Sequence, residues 1–192
     1  MTNNSVDGMR VAILIGDNFE QVEMTEPRAA LESAGAHTTL VSPVDHEVHG
    51  VQHDQEILDS FHVDVPLDGA NPDDFDALLM PGGALNADSM RMVPEVQQFI
   101  RRMHDAGKPM AVICHAPWEL VSAGLVRGRT LTSYYTLQDD IRNAGGTWLD
   151  REVVRDGNLV TSRQPGDIPA FNREMLAMFA EHNHRATGVR AA

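Results

Sequence analysis

Apolar and polar positions alternate along this chain in two distinct rhythms. Val11-Ala12-Ile13-Leu14-Ile15 is short, rich in β-branched residues and unbroken, the pattern of a strand covered on both faces in a parallel sheet. It stops at Gly16-Asp17-Asn18. From Glu20 to Ala34 the apolar residues recur at helical spacing, and Gly35 ends that helix. Residues 37–41 predict a second strand, closing a βαβ unit. Residues 42–74 are less regular. Their alternations at Val48 and Val51, and at Phe61, Val63 and Val65, predict small hairpin strands on the edge of the sheet.

Residues 75–80 form the next buried run and lead into Pro81-Gly82-Gly83. Val93, Val96, Phe99, Ile100 and Met103 then share one helical face, with Gly107 after it. Met110-Ala111-Val112-Ile113 predicts another strand and 117–123 another helix, closed by Gly124. After Thr130-Leu131-Thr132 comes a helix around 137–144. Residues 148–154 and 159–161 predict a hairpin turning at Asp156-Gly157-Asn158. A last helix covers about 168–181. Strands alternating with helices in this order imply a single α/β sandwich with a mostly parallel sheet. Its core covers about 10–184, with polar ends 1–9 and 187–192 expected to be loose.

Composition narrows the function. The 192 residues carry 15 Lys and Arg against 28 Asp and Glu, a net charge of −13. Such a surface repels phosphate, which argues against nucleic acid or an anionic membrane as partner. The single cysteine rules out an intramolecular disulfide. No run approaches the ~20 apolar residues of a membrane span, and residues 1–10 lack the apolar segment of a signal peptide, so a cytoplasmic location is expected. The histidines fall in no tight metal-ligand pattern and no phosphate-loop motif occurs. Neither a metal nor a cofactor is therefore expected.

Open α/β sheets carry their sites beyond the carboxyl ends of the strands. Three segments deliver chemistry there: 16–20, 81–88 and Cys114-His115. Cys114 follows four apolar strand residues and precedes Ala116-Pro117, with Pro117 suited to a first helical position. Such a junction has the geometry of a nucleophile elbow, and the following helix would lower the thiol's pKa. A small buried hydrophobe is the competing reading of a lone cysteine. His115 could pack or cap at the turn, reach back across it, or face a neighbouring subunit. Glu20 opens a helix, where a carboxylate is favoured in any protein; near Cys114 it could instead shuttle a proton, with its own pKa raised. Gly82-Gly83 offers backbone N–H groups for an oxyanion.

Taken together, the run 111–117 resembles the nucleophile elbow of the PfpI intracellular protease family, within the ThiJ/PfpI superfamily of class I glutamine amidotransferase-like proteins. Residues 17–23, 75–83, Thr132-Ser133-Tyr134 with Asp139-Asp140, and 148–163 are similar to that family's other signatures in the same order, so the resemblance spans roughly 10–179. It implies a flavodoxin-like three-layer sandwich that assembles at least as a homodimer. It makes Cys114 the reactive cysteine, Glu20 the glutamate bonded to its sulfur, and His115 the triad histidine. Asp88 is the candidate for an acid supplied by a neighbouring subunit, where the archetype has Glu. Tyr134 falls beside the cysteine, and Gly83 and the His115 backbone match the oxyanion-binding amides. Ala116 replaces the archetype's Gly. The resemblance implies a stress-associated, cysteine-dependent enzyme acting on a small carbonyl compound or a peptide, as peptidase, glutathione-independent glyoxalase or deglycase. The alternative is a redox-protective protein working through reversible oxidation of Cys114.

Overall fold

The computed structural model describes residues 5–190, with side chains described through His184. Strand β1 (Arg10–Leu14) is followed by the two-residue β2 (Phe19–Glu20), helix α1 (Gln21–Ser33) and strand β3 (His37–Ser42). Next come the hairpin strands β4 (Glu47–Gln52) and β5 (Glu56–His62), the short β6 (Val65–Pro66), β7 (Ala77–Met80), and helices α2 (Ala84–Met90) and α3 (Pro94–Asp105). The remainder comprises β8 (Met110–Ile113), α4 (Pro117–Ser122), β9 (Thr130–Leu131), α5 (Gln138–Asn143), β10 (Thr147–Trp148), β11 (Val153–Asp156), β12 (Leu159–Ser162) and α6 (Ile168–Arg190).

The main sheet has the order β11-β12-β8-β7-β1-β3-β6. All its pairings are parallel except that of β11 with β12. Alternation along each strand divides the core. Val11 and Ile13 of β1, Ala77 and Leu79 of β7, and Ala111 and Ile113 of β8 face the layer containing Met24 and Leu31 of α1 and Phe171, Met175 and Met178 of α6. Ala12, Leu14, Leu78, Met80, Met110 and Val112 face the layer of α2 to α5, including Val96, Ile100 and Leu120. This three-layer α/β sandwich is the architecture expected from the continuous apolar runs.

Four local expectations change. Strands β4 and β5 pair with β2 in a separate three-stranded sheet, and only β6 extends the edge of the main one. The interruption is physical: β4 pairs in parallel with Phe19–Glu20 through Gly50 and Val51. Trp148 belongs to β10, paired with β9, not to the β11–β12 hairpin. Helix α2 is an addition, unpredicted because Asn86, Asp88 and Ser89 interrupt any apolar stripe; its first amides are held by Asp54 from the β4–β5 turn. The amino-terminal segment is not loose where it is described. Val6 and Met9 are buried in the core, the Asn183 side chain donates to Ser5 O at 3.0 Å, and α6 continues through Arg190. Residues 1–4 and 191–192 of the expected loose ends lie outside the described residues.

Candidate active site

The carboxyl ends of β1, β7 and β8 converge on one buried cysteine. Cys114 adopts φ +63°, a left-handed conformation unfavourable for a side-chain-bearing residue. The turn is held on both sides: Cys114 N–H donates to Ser162 O at 3.0 Å, and Tyr134 N–H donates to Cys114 O at 2.7 Å. Pro117 occupies the first turn of α4, where its missing N–H leaves no bond unmade. The result is an elbow that presents Sγ above the sheet.

His115 turns back onto that sulfur, with Nδ1 3.2 Å from Sγ. Its ring stacks on Tyr134 at 4.5 Å between centroids and 30° between planes, and Trp118 lies against it at 6.3 Å. Burial pushes the imidazole below its ordinary value, while the charge of Asp54 pushes it the other way. A base next to the thiol, oriented by packing, has the makings of an activated nucleophile.

The carboxyl group beside Cys114 is that of Glu23, not Glu20. The fully buried Glu23 accepts the Gly82 N–H through Oε2 at 2.9 Å and interacts with the Cys114 thiol. The two side chains meet so closely over Gly82 that a Cβ there would stand 2.6 Å from Glu23 Oε2 and 2.7 Å from Cys114 Cβ. Glu20 ends β2, and its Oε2 accepts the His53 N–H at 2.8 Å. It lines the same cavity but is tied to the β4–β5 turn. Glu23 lies three residues later in the first turn of α1, so helical spacing alone could have offered it as a second candidate.

Desolvation, offset partly by the Cys114 thiol and then by the Gly82 N–H, pushes the Glu23 carboxyl up to about 8. It therefore carries its proton at neutral pH. Burial, followed by repulsion from an ionised Glu23, pushes the Cys114 thiol well up, while the N–H groups of Gly83 and His115 favour the thiolate. The helix-driven lowering expected for this thiol is outweighed by desolvation, and α4 has only six residues. When Glu23 is protonated its repulsion vanishes and its O–H can donate to a thiolate, so the pair carries at most one negative charge once Cys114 gives up its proton.

The amides divide their work. Gly83 and His115 direct theirs at the sulfur. Gly82, expected to serve an oxyanion, spends its N–H on Glu23, and its carbonyl accepts from Glu20 N–H and the Asn86 side chain. Asn86 is a buried clamp between strand ends: its Oδ1 accepts Gly16 N–H at 2.7 Å and its Nδ2 donates to the Pro81 and Gly82 carbonyls.

The cavity over Cys114 has a volume of about 260 Å³ and is walled by Glu20, Glu23, His53, Asp54, Gly83, Ala84, His115, Tyr134 and Pro165. Asp88 is exposed on α2 and does not line it. His53 and Asp54, which the sequence reading missed, form the outer wall. Among the described residues no cluster of His, Cys, Asp and Glu could hold a metal ion, and no helix is long and apolar enough to cross a membrane.

A sequence model of the DJ-1/PfpI family matches residues 9–178. The chain belongs to the DJ-1/PfpI family. The Deglycase PfpI of Pyrococcus furiosus is 39% identical over 175 residues, covering 88% of this chain and 99% of that protein. General stress protein 18 of Bacillus subtilis is 40% identical over 173 residues, covering 89% and 98%. The crystal structure of Drosophila melanogaster DJ-1beta superposes with a TM-score of 0.82 at 26% identity, over 96% of this chain and 99% of that one. Membership in the DJ-1/PfpI family agrees with the parallel sandwich and with the elbow at Cys114.

Proposed function

We propose that this protein is a stress-associated, cysteine-dependent enzyme that acts on small carbonyl compounds and their amine adducts, as a deglycase with glyoxalase-type chemistry. The observation that carries the reading is the strained Cys114 elbow, with His115 Nδ1 3.2 Å from its sulfur and the buried Glu23 carboxyl meeting Cys114 over Gly82. The relatives named deglycases support the same chemistry. The cavity of about 260 Å³ falls below the usual range of about 300–1,000 Å³ for sites that hold drug-sized ligands, which favours a small substrate over an extended peptide.

In this mechanism the Cys114 proton passes to His115 Nδ1, and the thiolate bonds to the aldehyde carbon of methylglyoxal. The carbonyl π pair moves to oxygen, which takes a proton to give a hemithioacetal. The Gly83 and His115 N–H groups stand beside the bond being formed and can stabilise that oxygen. With an amine adduct the same sulfur displaces nitrogen: the C–N bond breaks as the C–S bond forms, and the amine leaves with a proton. Glu23 and His115 then move a proton between the two carbons, giving a lactoyl thioester. Water cleaves the thioester to lactate and returns the thiol.

Asp88 is assigned to a homodimer, where it would face the partner's site. The exposed apolar residues Leu85 and Met92, close to Asp88 in sequence, support that surface. Oxidation of Cys114 as the main role is the less supported reading, because His115 and Glu23 bring two proton-transfer groups to the cysteine. The location is inferred to be cytoplasmic, where the lone thiol stays reduced.

The decisive experiment measures glutathione-independent lactate formation from methylglyoxal, and release of free amine from methylglyoxal-modified N-acetylarginine. Cys114→Ala and Glu23→Gln should each abolish both. Turnover that survives in Cys114→Ala overturns the proposal.

A further inference from the structure

The turn joining β4 and β5 is strained at two successive positions. His53 and Asp54 have φ +55° and +56°, and Gln55 N–H donates to Gln52 O at 3.2 Å. Two central residues with positive φ are the signature of a hairpin turn that ordinarily recruits Asn and Gly. Neither is present here, so the backbone carries strain that the surroundings must hold in place. They do so on both sides of the active site. Glu20 Oε2 accepts the His53 N–H. Asp54 Oδ1 accepts the Ala84 N–H at 2.8 Å and the Leu85 N–H at 3.4 Å at the start of α2.

The strained turn therefore holds the Asp54 side chain in the wall of the cavity that contains Cys114. Asp54 and His115 line the same cavity. The groups around the imidazole are Cys114, Tyr134 and Trp118 in direct contact, with Glu20, Glu23 and Asp54 as the acids of the cavity wall. Arg91 is stacked on the Trp118 ring. Glu23 is protonated at neutral pH by its own burial, and Glu20 is engaged by His53 and has its carboxyl pushed upward by burial. Asp54 is the acid whose charge acts on His115.

We infer that Asp54 is the positioning residue of the Cys114–His115 pair, supplying from the same chain the negative charge that favours an imidazolium ion once His115 Nδ1 has taken the thiol proton. The step transfers one proton from Sγ to Nδ1 and leaves a thiolate and an imidazolium in contact. This inference rests on the reading of Cys114 as the nucleophile. It deepens that reading by assigning the acid of the dyad to the β4–β5 turn of the same subunit.

The test follows the His115 imidazole by NMR as pH is varied, with the signal assigned by its loss in His115→Ala. Asp54→Asn and Asp54→Ser both keep an oxygen able to cap the α2 amides and both remove the charge. Each should lower the His115 midpoint by roughly half to one pH unit, about a three- to tenfold smaller imidazolium population above the midpoint. Asp54→Glu should move it back toward the parent value. The inference is overturned if the folded uncharged variants titrate with the parent, or if the shift follows Asp88→Asn instead. Because the titration needs no turnover, it stands apart from success or failure of the deglycase assay.

Discussion

Glu119 offers the sharpest test of how burial governs charge in this molecule. It lies on α4, is 1% exposed, and neither of its carboxyl oxygens has a hydrogen-bond partner among the described residues. Burial pushes this carboxyl well above its ordinary 4.5, so the folded chain keeps it protonated while the unfolded chain ionises it. The folded state thus binds one more proton than the unfolded state above pH 4.5, and stability falls as pH rises through that window. The loss accumulates at about 1.4 kcal/mol per pH unit until the folded carboxyl itself ionises. Glu119→Gln, which cannot ionise, should therefore match the parent near pH 4 and exceed it by a margin that grows as pH rises above 4.5. For a chain of this length each kcal/mol of that margin corresponds to roughly 2–4 °C in Tm. Glu119→Leu should add about 1–3 kcal/mol at every pH by removing orphaned polar atoms. Thermal unfolding of the three proteins between pH 4 and 8 measures both effects. A Glu119→Gln protein that is no more stable than the parent at pH 7 refutes the argument, for it would mean that the carboxyl is ionised and compensated in the fold.

Glu23→Gln should lower kcat/KM at least a hundredfold, the scale of a lost proton-transfer group, while raising Tm at neutral pH for the reason given for Glu119. Glu20→Gln should cost less than tenfold, so equal losses in the two variants would count against the separation of their roles. Activity should decline as pH rises through about 8, where Glu23 loses its proton; a kcat/KM profile flat from pH 7 to 9 contradicts this. Gly82→Ala forces a Cβ to within 2.8 Å of the Ile113 carbonyl as well as against Glu23 and Cys114, so thiol alkylation and Tm should both change. An unaltered Tm would show that the loop yields more easily than its contacts imply.

Much of this arrangement was legible in the chain because burial on two faces writes itself as unbroken apolar runs. Residues 11–15 and 110–113 could be little else. Cys114 was readable for a related reason: a polar-capable residue at the end of such a run, followed by Ala-Pro, marks a strand-to-helix turn. Helix α2 was not readable, because capping by Asp54 and clamping by Asn86 hold it, and neither leaves a periodic trace. The choice of Glu20 over Glu23 failed on direction. Both acids stand at the start of the same helix, but β2 pairing ties Glu20 to the hairpin while the first turn of α1 carries Glu23 inward. The role of His53 and Asp54 depends on positive φ at residues that do not advertise it. The Gly-Gly pair was visible, yet only the fold distinguishes the amide that serves sulfur from the one that serves Glu23.

The groups around Cys114 come from stretches of chain as far apart as Glu20 and Pro165, and Cys114 itself follows the end of β8, the strand between β7 and β12. In the unfolded chain this thiol has no carboxyl, imidazole stack or strand-end amide arranged around it. The reactivity described above is thus a property of the finished topology. A newly made or thermally unfolded copy carries an ordinary cysteine, and the special one returns only when the sheet closes. Labelling of Cys114 during refolding would therefore report when the strands around it come together, making the enzyme's own nucleophile a clock for that step of its assembly.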